Sequence, residues 1–187
     1  MRKLKLQTQL SVDAFIAGPN GEMDWLVWNW DDRLNDHVNA LMESVDLILL
    51  GRVLADGFIP TWTERLKSDA SDQSARWMVE TPKVVFTHTL EESPWEYTTL
   101  AKGDLAEEIR RLKDAPGGDI IAYGGARFVS ELVRHGLIDE YHLFVNPTAI
   151  GAGMTIFSEP DRKIALKLME STAFDCGIVS LFYTPSG

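Results

Sequence analysis

The stretch that most constrains the fold runs from Asp119 to Val133. A short apolar run, Asp119-Ile120-Ile121-Ala122, ends in Tyr123-Gly124-Gly125. It passes without a spacer into Ala126-Arg127-Phe128 and the helix-like Val129-Ser130-Glu131-Leu132-Val133. A strand with no polar alternation is covered on both faces, and such strands belong to parallel sheets whose crossovers are helices. The join also has a chemical meaning. A helix N-terminus presents unpaired N–H groups and partial positive charge, and glycines remove the side chains that would hold an anion away. The stretch reads as a pyrophosphate cradle, or more plainly as a turn. Its spacing is neither Gly-x-Gly-x-x-Gly nor a Gly-Lys-Ser/Thr phosphate loop.

The same strand-to-helix grammar recurs. Residues 3 to 12 alternate, with Leu4, Leu6, Thr8, Leu10 and Val12 on one side and Lys3, Lys5, Gln7, Gln9 and Ser11 on the other, as in a half-buried strand. Asp13 to Ala17 continues it, and Gly18-Pro19-Asn20-Gly21 turns it. Trp25, Trp28 and Trp30 crowd the next loop. A helix then follows, capped by Asp31 or Asp32, with Leu34, Val38, Leu41, Met42 and Val45 inward. Further buried strands are expected at Asp46–Leu50, Lys83–Thr87, 119–123 and Tyr141–Val145, with helices at Asp104–Lys113 and about 126–135. Residues 59–82 read as an irregular surface excursion with one short helix near Gln73–Val79. The tail, from Ile164 to Leu168 and again from Ile178 to Tyr183, reads as an antiparallel hairpin turned at Asp175-Cys176-Gly177. The expectation is one α/β domain over residues 1–187, with a mostly parallel central sheet, flanking helices and an antiparallel C-terminal edge.

Composition narrows the function. An apolar fraction of 45% over 187 residues supports a sizeable core. A net charge of -10 disfavours nucleic acid as a partner. The single cysteine, Cys176, rules out an intrachain disulfide and fits a reducing cytoplasm. No apolar run reaches the ~20 residues that span a bilayer. The four histidines have no metal-ligand spacing, so no metal is expected, and there is no Gly-x-Ser-x-Gly elbow.

Three strands end in turns of suggestive chemistry: Leu50-Gly51-Arg52-Val53, Phe86-Thr87-His88-Thr89 and Tyr123-Gly124-Gly125-Ala126. Ligands of open parallel sheets bind beyond the carboxyl ends of the strands, so these turns are expected to share one ligand. Arg52 brings a planar cation for phosphate, Thr87, His88 and Thr89 bring side-chain donors, and Gly124 to Phe128 bring backbone N–H groups.

In this order along the chain, the residues resemble a known family. Ser11 through Trp25 is similar to the opening of dihydrofolate-reductase-like proteins, above all the reductase domain of the bifunctional riboflavin-biosynthesis deaminase-reductase and its stand-alone relatives. Leu50-Gly51-Arg52, Val85 through Leu90, Tyr123-Gly124-Gly125, Gly136 through Leu143, Asn146-Pro147 and Gly151 through Phe157 follow in that family's order. The resemblance implies an eight-stranded dihydrofolate-reductase-like fold and hydride transfer from NADPH. It puts Ile16 and Ala17 against the nicotinamide and Gly51, Arg52 and Val53 on phosphate. It puts Thr87, His88 and Thr89 near the adenosine 2′-phosphate and Gly124, Gly125, Ala126, Arg127 and Phe128 on the pyrophosphate. Residues 18–25 become a mobile flap. Leu54 and His88 depart from the family's usual threonine and arginine.

The expected activity is reduction of a small heterocyclic or ribosylamino-pyrimidine-type acceptor, related to the 5-amino-6-(5-phosphoribosylamino)uracil reductase of riboflavin biosynthesis. Asp31 is the candidate acid, and Asp13, Asp24 and Trp25 are candidate substrate contacts. A non-catalytic dinucleotide-binding or sensor protein is the alternative. Relatives pair through their C-terminal strands, so a homodimer built on Leu166, Leu168, Leu181 and Phe182 is expected, with no membrane partner.

Overall fold

In a computed structural model, which describes residues 1–158 and 163–186, eight strands form one sheet. The elements along the chain are β1 (Leu4–Leu10), α1 (Asp32–Met42), β2 (Val45–Gly51), α2 (Arg52–Ser68), α3 (Gln73–Glu80), β3 (Lys83–Phe86) and β4 (Thr98–Ala101). They continue with α4 (Leu105–Asp114), β5 (Asp119–Tyr123), α5 (Ala126–Arg134), β6 (Glu140–Val145), β7 (Leu166–Ala173) and β8 (Val179–Pro185). The sheet order is β4-β3-β2-β5-β1-β6-β8-β7. The six strands from β4 to β6 run parallel. Only β8 runs against them, paired with β6 on one side and β7 on the other.

The continuous apolar strands are apolar because both faces are covered. In β2, Leu47 and Leu49 point into a core shared with Ile109 of α4 and Val129, Leu132 and Val133 of α5. Ile48 and Leu50 point the other way, into a core shared with Leu34, Val38, Leu41 and Met42 of α1, Ile59 of α2 and Met78 of α3. Both cores press on one sheet, which fixes the directions of all six parallel strands and gathers their carboxyl ends at one rim.

Four expectations need correction. The first part of the excursion expected at 59–82 is helical instead, because α2 runs from Arg52 to Ser68 and continues through Gly57 and Pro60. A short strand, β4, lies at the sheet edge. Residues 11–17 leave the sheet after Leu10 and touch strand structure only through an isolated bridge between Ala17 and Met154. Val45 opens β2 rather than closing the α1 face. One further difference is instructive. β1 alternates, yet Lys5 and Gln7 are buried along with their apolar neighbours. The strand lies between β5 and β6, so its polar side faces the α1 layer. There Lys5 Nζ donates to the Leu41 carbonyl at 3.2 Å and to Ser44 Oγ at 2.8 Å.

Candidate active site

The rim is assembled by register. Gly51 pairs with Phe86, which places Arg52 beside Thr87 at adjacent strand ends. A side chain on Gly51 would meet Phe128 Cβ at 2.7 Å, so β2 and α5 approach as closely as glycine permits. Phe86 and Phe128 hold this join with ring centroids 5.0 Å apart. Gly125 adopts φ +91°, a left-handed conformation that glycine reaches without strain, and a side chain there would lie 3.5 Å from Leu54 Cβ in the first turn of α2. The three turns named from sequence thus meet at one place, and the N-termini of α2 and α5 meet there with them.

Those two helices differ from the others. α1, α3 and α4 are each capped by an aspartate, Asp31, Asp72 and Asp104, whose carboxylate accepts a backbone N–H of the first turn. α2 and α5 begin after Gly51 and Gly125, with no side-chain cap. Their first-turn N–H groups stay open for an outside acceptor, which an anion supplies well. Arg52 is the first residue of α2. Its guanidinium pairs with Asp56, one turn on, while its Nε is shut away from solvent with no acceptor. A glycine cradle, two uncapped helix starts and an orphaned guanidinium N–H fit the phosphates of a dinucleotide.

Other candidates take different places. The Thr87 hydroxyl is buried and accepts N–H groups from Thr89 at 3.1 Å and Leu90 at 3.3 Å, so it shapes its own turn. His88, Thr89, Val53 and Arg127 are exposed along the rim, and Ala126 and Phe128 are half-buried in the first turn of α5. Ile16 and Ala17 are buried, held by the Ile16 N–H donating to the Met154 carbonyl at 2.8 Å. Asp13 ties this loop down: Ser11 Oγ donates to it at 2.6 Å and the Gly151 N–H at 2.7 Å. The Ser11 hydroxyl, helped by those N–H groups, holds the Asp13 carboxyl below the usual carboxylate range. Asp24 is exposed, and Trp25 is half-buried with its indole N–H donating to the Glu22 carbonyl at 3.2 Å. Asp31 uses both oxygens structurally, accepting from the Leu34 N–H at 2.8 Å and the Asp175 N–H at 3.1 Å.

Sequence reasoning passed over the floor between α1 and α2. Tyr123 ends β5 beneath both helices, stacked on Phe58 at 5.3 Å and donating to Met42 Sδ at 3.4 Å. Burial pushes its phenol pKa upward. Gln7 is its register partner on β1. The signal available was a glutamine in a strand that the parallel pattern makes central.

Comparison with known proteins identifies this architecture. The family model of the RibD C-terminal domain matches residues 2–180. The chain belongs to the RibD C-terminal domain family. It is 30% identical to the uncharacterized protein YyaP of Bacillus subtilis (strain 168) over 190 residues, covering 100% of this chain and 96% of YyaP. The crystal structure of a putative riboflavin biosynthesis protein from Shewanella sp. PV-4 matches with a TM-score of 0.73 and 25% identity, covering 100% of both chains. Dihydrofolate reductase from Enterococcus faecalis, solved with NADP(H), matches with a TM-score of 0.65 at 14% identity over 99% of this chain and 97% of that one. The fold is therefore dihydrofolate-reductase-like, as the order of motifs implied. No helix among the described residues is long and apolar enough to cross a membrane.

Proposed function

We propose that this RibD C-terminal domain protein is an NADPH-dependent reductase of a small heterocyclic acceptor. The observation that carries the reading is the pair of uncapped helix N-termini, α2 after Gly51 and α5 after Gly125, which approach each other through Gly51 with Phe128 and Gly125 with Leu54, while the other three helices carry aspartate caps. Bound NADPH would supply the hydride. Gly124, Gly125 and the first-turn N–H groups of α5 hold the pyrophosphate, while Gly51, Arg52 and Val53 hold phosphate from the α2 side. Thr87 shapes the turn that brings His88 and Thr89 to the 2′-phosphate. Ile16 and Ala17 give the nicotinamide a dry wall, which favours hydride transfer by excluding water and fixing the ring. Reduction of a C=N bond needs the hydride on carbon and a proton on nitrogen. Asp31 is committed to two N–H groups, so water near Asp24 and Trp25 is the better source of that proton.

The engagement of Asp31 also favours the second reading, a dinucleotide-binding sensor without turnover. Titration of the purified chain with NADPH, followed by NADPH oxidation against pterins, flavins and aminopyrimidines, decides between them. Binding with turnover supports the reductase, binding without turnover supports the sensor, and no binding refutes both. The working unit in this reading is a cytoplasmic homodimer joined at the β7 edge, where Leu168 and Met169 are each about half exposed. Light scattering that gives the mass of one chain refutes the dimer.

A further inference from the structure

Gln9, the last residue but one of β1, carries an amide whose orientation is fixed by its neighbours. It is half-buried and shares a strand face with Lys5, which reaches the Leu41 carbonyl of α1. Its register partner on β6 is Phe144, fully buried in the core beneath α1 and α2. Two residues on, Asn146 is also fully buried. The Asn146 side chain fits only one way round. Its Oδ1 accepts the Val27 N–H at 3.0 Å, and a backbone N–H can only donate. Its Nδ2 donates to the Phe144 carbonyl at 3.2 Å, and a carbonyl can only accept. The same Nδ2 meets the Gln9 amide at 2.8 Å, so the Gln9 atom facing it is the oxygen, Oε1. With that oxygen turned toward Asn146, the N–H groups of Gln9 Nε2 point away from it.

Nothing among the described residues takes those N–H groups. The side-chain atoms that are sealed from solvent without a partner are Gln7 Oε1 and Arg52 Nε, so Gln9 Nε2, also without a partner, meets solvent. Such an amide offers donors to an outside oxygen. Its place is the rim: a side chain on Gly124 would lie 3.8 Å from Oγ1 of Thr8, the residue before Gln9. Ile16, the wall assigned to the nicotinamide, belongs to the core on the α5 side of the sheet. Gln9 faces the α1 side. From Asn146 the hydrogen bonds lead on through Val27 to Trp30, whose indole N–H donates to the Val27 carbonyl at 2.8 Å. Val27 and Trp30 are half-buried against the cluster that holds Phe144. An open donor and a half-buried indole on one side of the rim suit a planar ring that carries a carbonyl.

We infer that Gln9 is a specificity-determining residue of the acceptor site, where its side-chain N–H donates to a ring carbonyl oxygen of the heterocycle. The inference rests on the reductase reading, which puts the nicotinamide on the opposite face, and it deepens that reading by naming the acceptor's chemistry. A heterocycle with an amino group in place of the carbonyl brings donor against donor and is rejected. Asn146 is a positioning residue, since it turns the amide from a buried place.

Isothermal titration of the full chain with two probes tests this. One is 5,6-diaminouracil, and the other is 2,4,5,6-tetraaminopyrimidine, which has amino groups where the uracil has carbonyls. The wild-type chain should bind the uracil about tenfold more tightly. Gln9→Glu keeps an oxygen for Asn146 and replaces the outward N–H groups with a second oxygen, so the preference should invert while the NADPH Kd stays unchanged. Gln9→Met removes both polar ends and should bind the two probes about equally, which decides the matter if Gln9→Glu does not fold. A purely structural role for Gln9 leaves the ratio of the two Kd values where it was. Binding of neither probe by the wild-type chain, or a ratio that the variants do not move, overturns the inference. So does a loss of NADPH affinity in Gln9→Glu with the ratio unchanged, which assigns the amide to the cofactor. NADPH is titrated separately on the wild-type chain. Its failure to bind removes the reductase reading and leaves the probe ratios standing, whereas NADPH binding with an unmoved ratio removes only the inference.

Discussion

At the scale of single residues, adjacent glycines have separable duties. Gly124 has an ordinary φ, and a side chain there would meet only Thr8 Oγ1, at 3.8 Å. Gly125 sits at φ +91°, where an L-residue is strained by about 1–2 kcal/mol. Gly124→Ala should therefore leave stability within about 0.5 kcal/mol of wild type while filling the space where the pyrophosphate would lie. Gly125→Ala should lower both stability and cofactor affinity. Urea unfolding read alongside NADPH titration checks the pair, and equal stability losses in the two variants would contradict the assignment. Sequence alone displayed these glycines because backbone demand is written in residue type. It offered Asp31 both as a helix cap and as an acid without deciding between them, and it did not display what Thr87 does. Their polar atoms turn inward to cap a helix and a turn, and a side chain's choice between ligand and backbone depends on neighbours such as Asp175, distant in the chain.

At the scale of elements, α2 shows why a helix can hide from sequence reading. Its apolar residues do not gather on one stripe, only Ala55 and Ile59 are buried among its residues, and Gly57 and Pro60 interrupt it. Proline inside a helix removes a hydrogen bond and crowds the preceding turn, at about 3 kcal/mol. The helix persists through tertiary contacts that sequence does not show: Phe58 on Tyr123, Trp62 beside Phe58 at 6.1 Å, and the Arg65 guanidinium 5.0 Å from the Trp62 ring. β4 was missed for a related reason, since only Ala101 of its four residues is buried. The central strands were legible because continuous apolar runs admit few other placements. Gly57 gives a test of α2. It is exposed, and a side chain on it would meet nothing within 4 Å. Gly57→Ala should raise stability by about 0.5–1 kcal/mol, seen as a higher Tm, with NADPH affinity unchanged. A lower Tm would mean that residue 57 is not helical.

At the scale of the whole molecule, the parallel sheet is closed on its C-terminal side by β8 and β7, and a polar group marks the join. Lys3 Nζ on the chain leading into β1 donates to Glu140 Oε1 at 2.7 Å, and His142 Nε2 lies 3.3 Å from Glu140 Oε2. The His142 ring stacks on Phe182 of β8 with centroids 4.4 Å apart. Glu140 thus links the centre of the sheet to its antiparallel edge. The His142 hydrogen bond, followed by Lys3, holds its pKa down to about 2, against an ordinary 4.5. A carboxyl with a depressed folded-state pKa stabilises the fold fully above its unfolded value, and that stability is lost as pH falls through the folded one. The window is therefore pH 4.5 down to about 2, with a contribution of about 2–3 kcal/mol above it. Glu140→Gln should be less stable than wild type at pH 7 by roughly this amount, and the gap should close as pH falls toward 2. Urea midpoints measured from pH 7 to pH 2 check this. Parallel curves for the two proteins, with a gap that persists at low pH, would show that the ionised carboxylate is not what joins β6 to its neighbours.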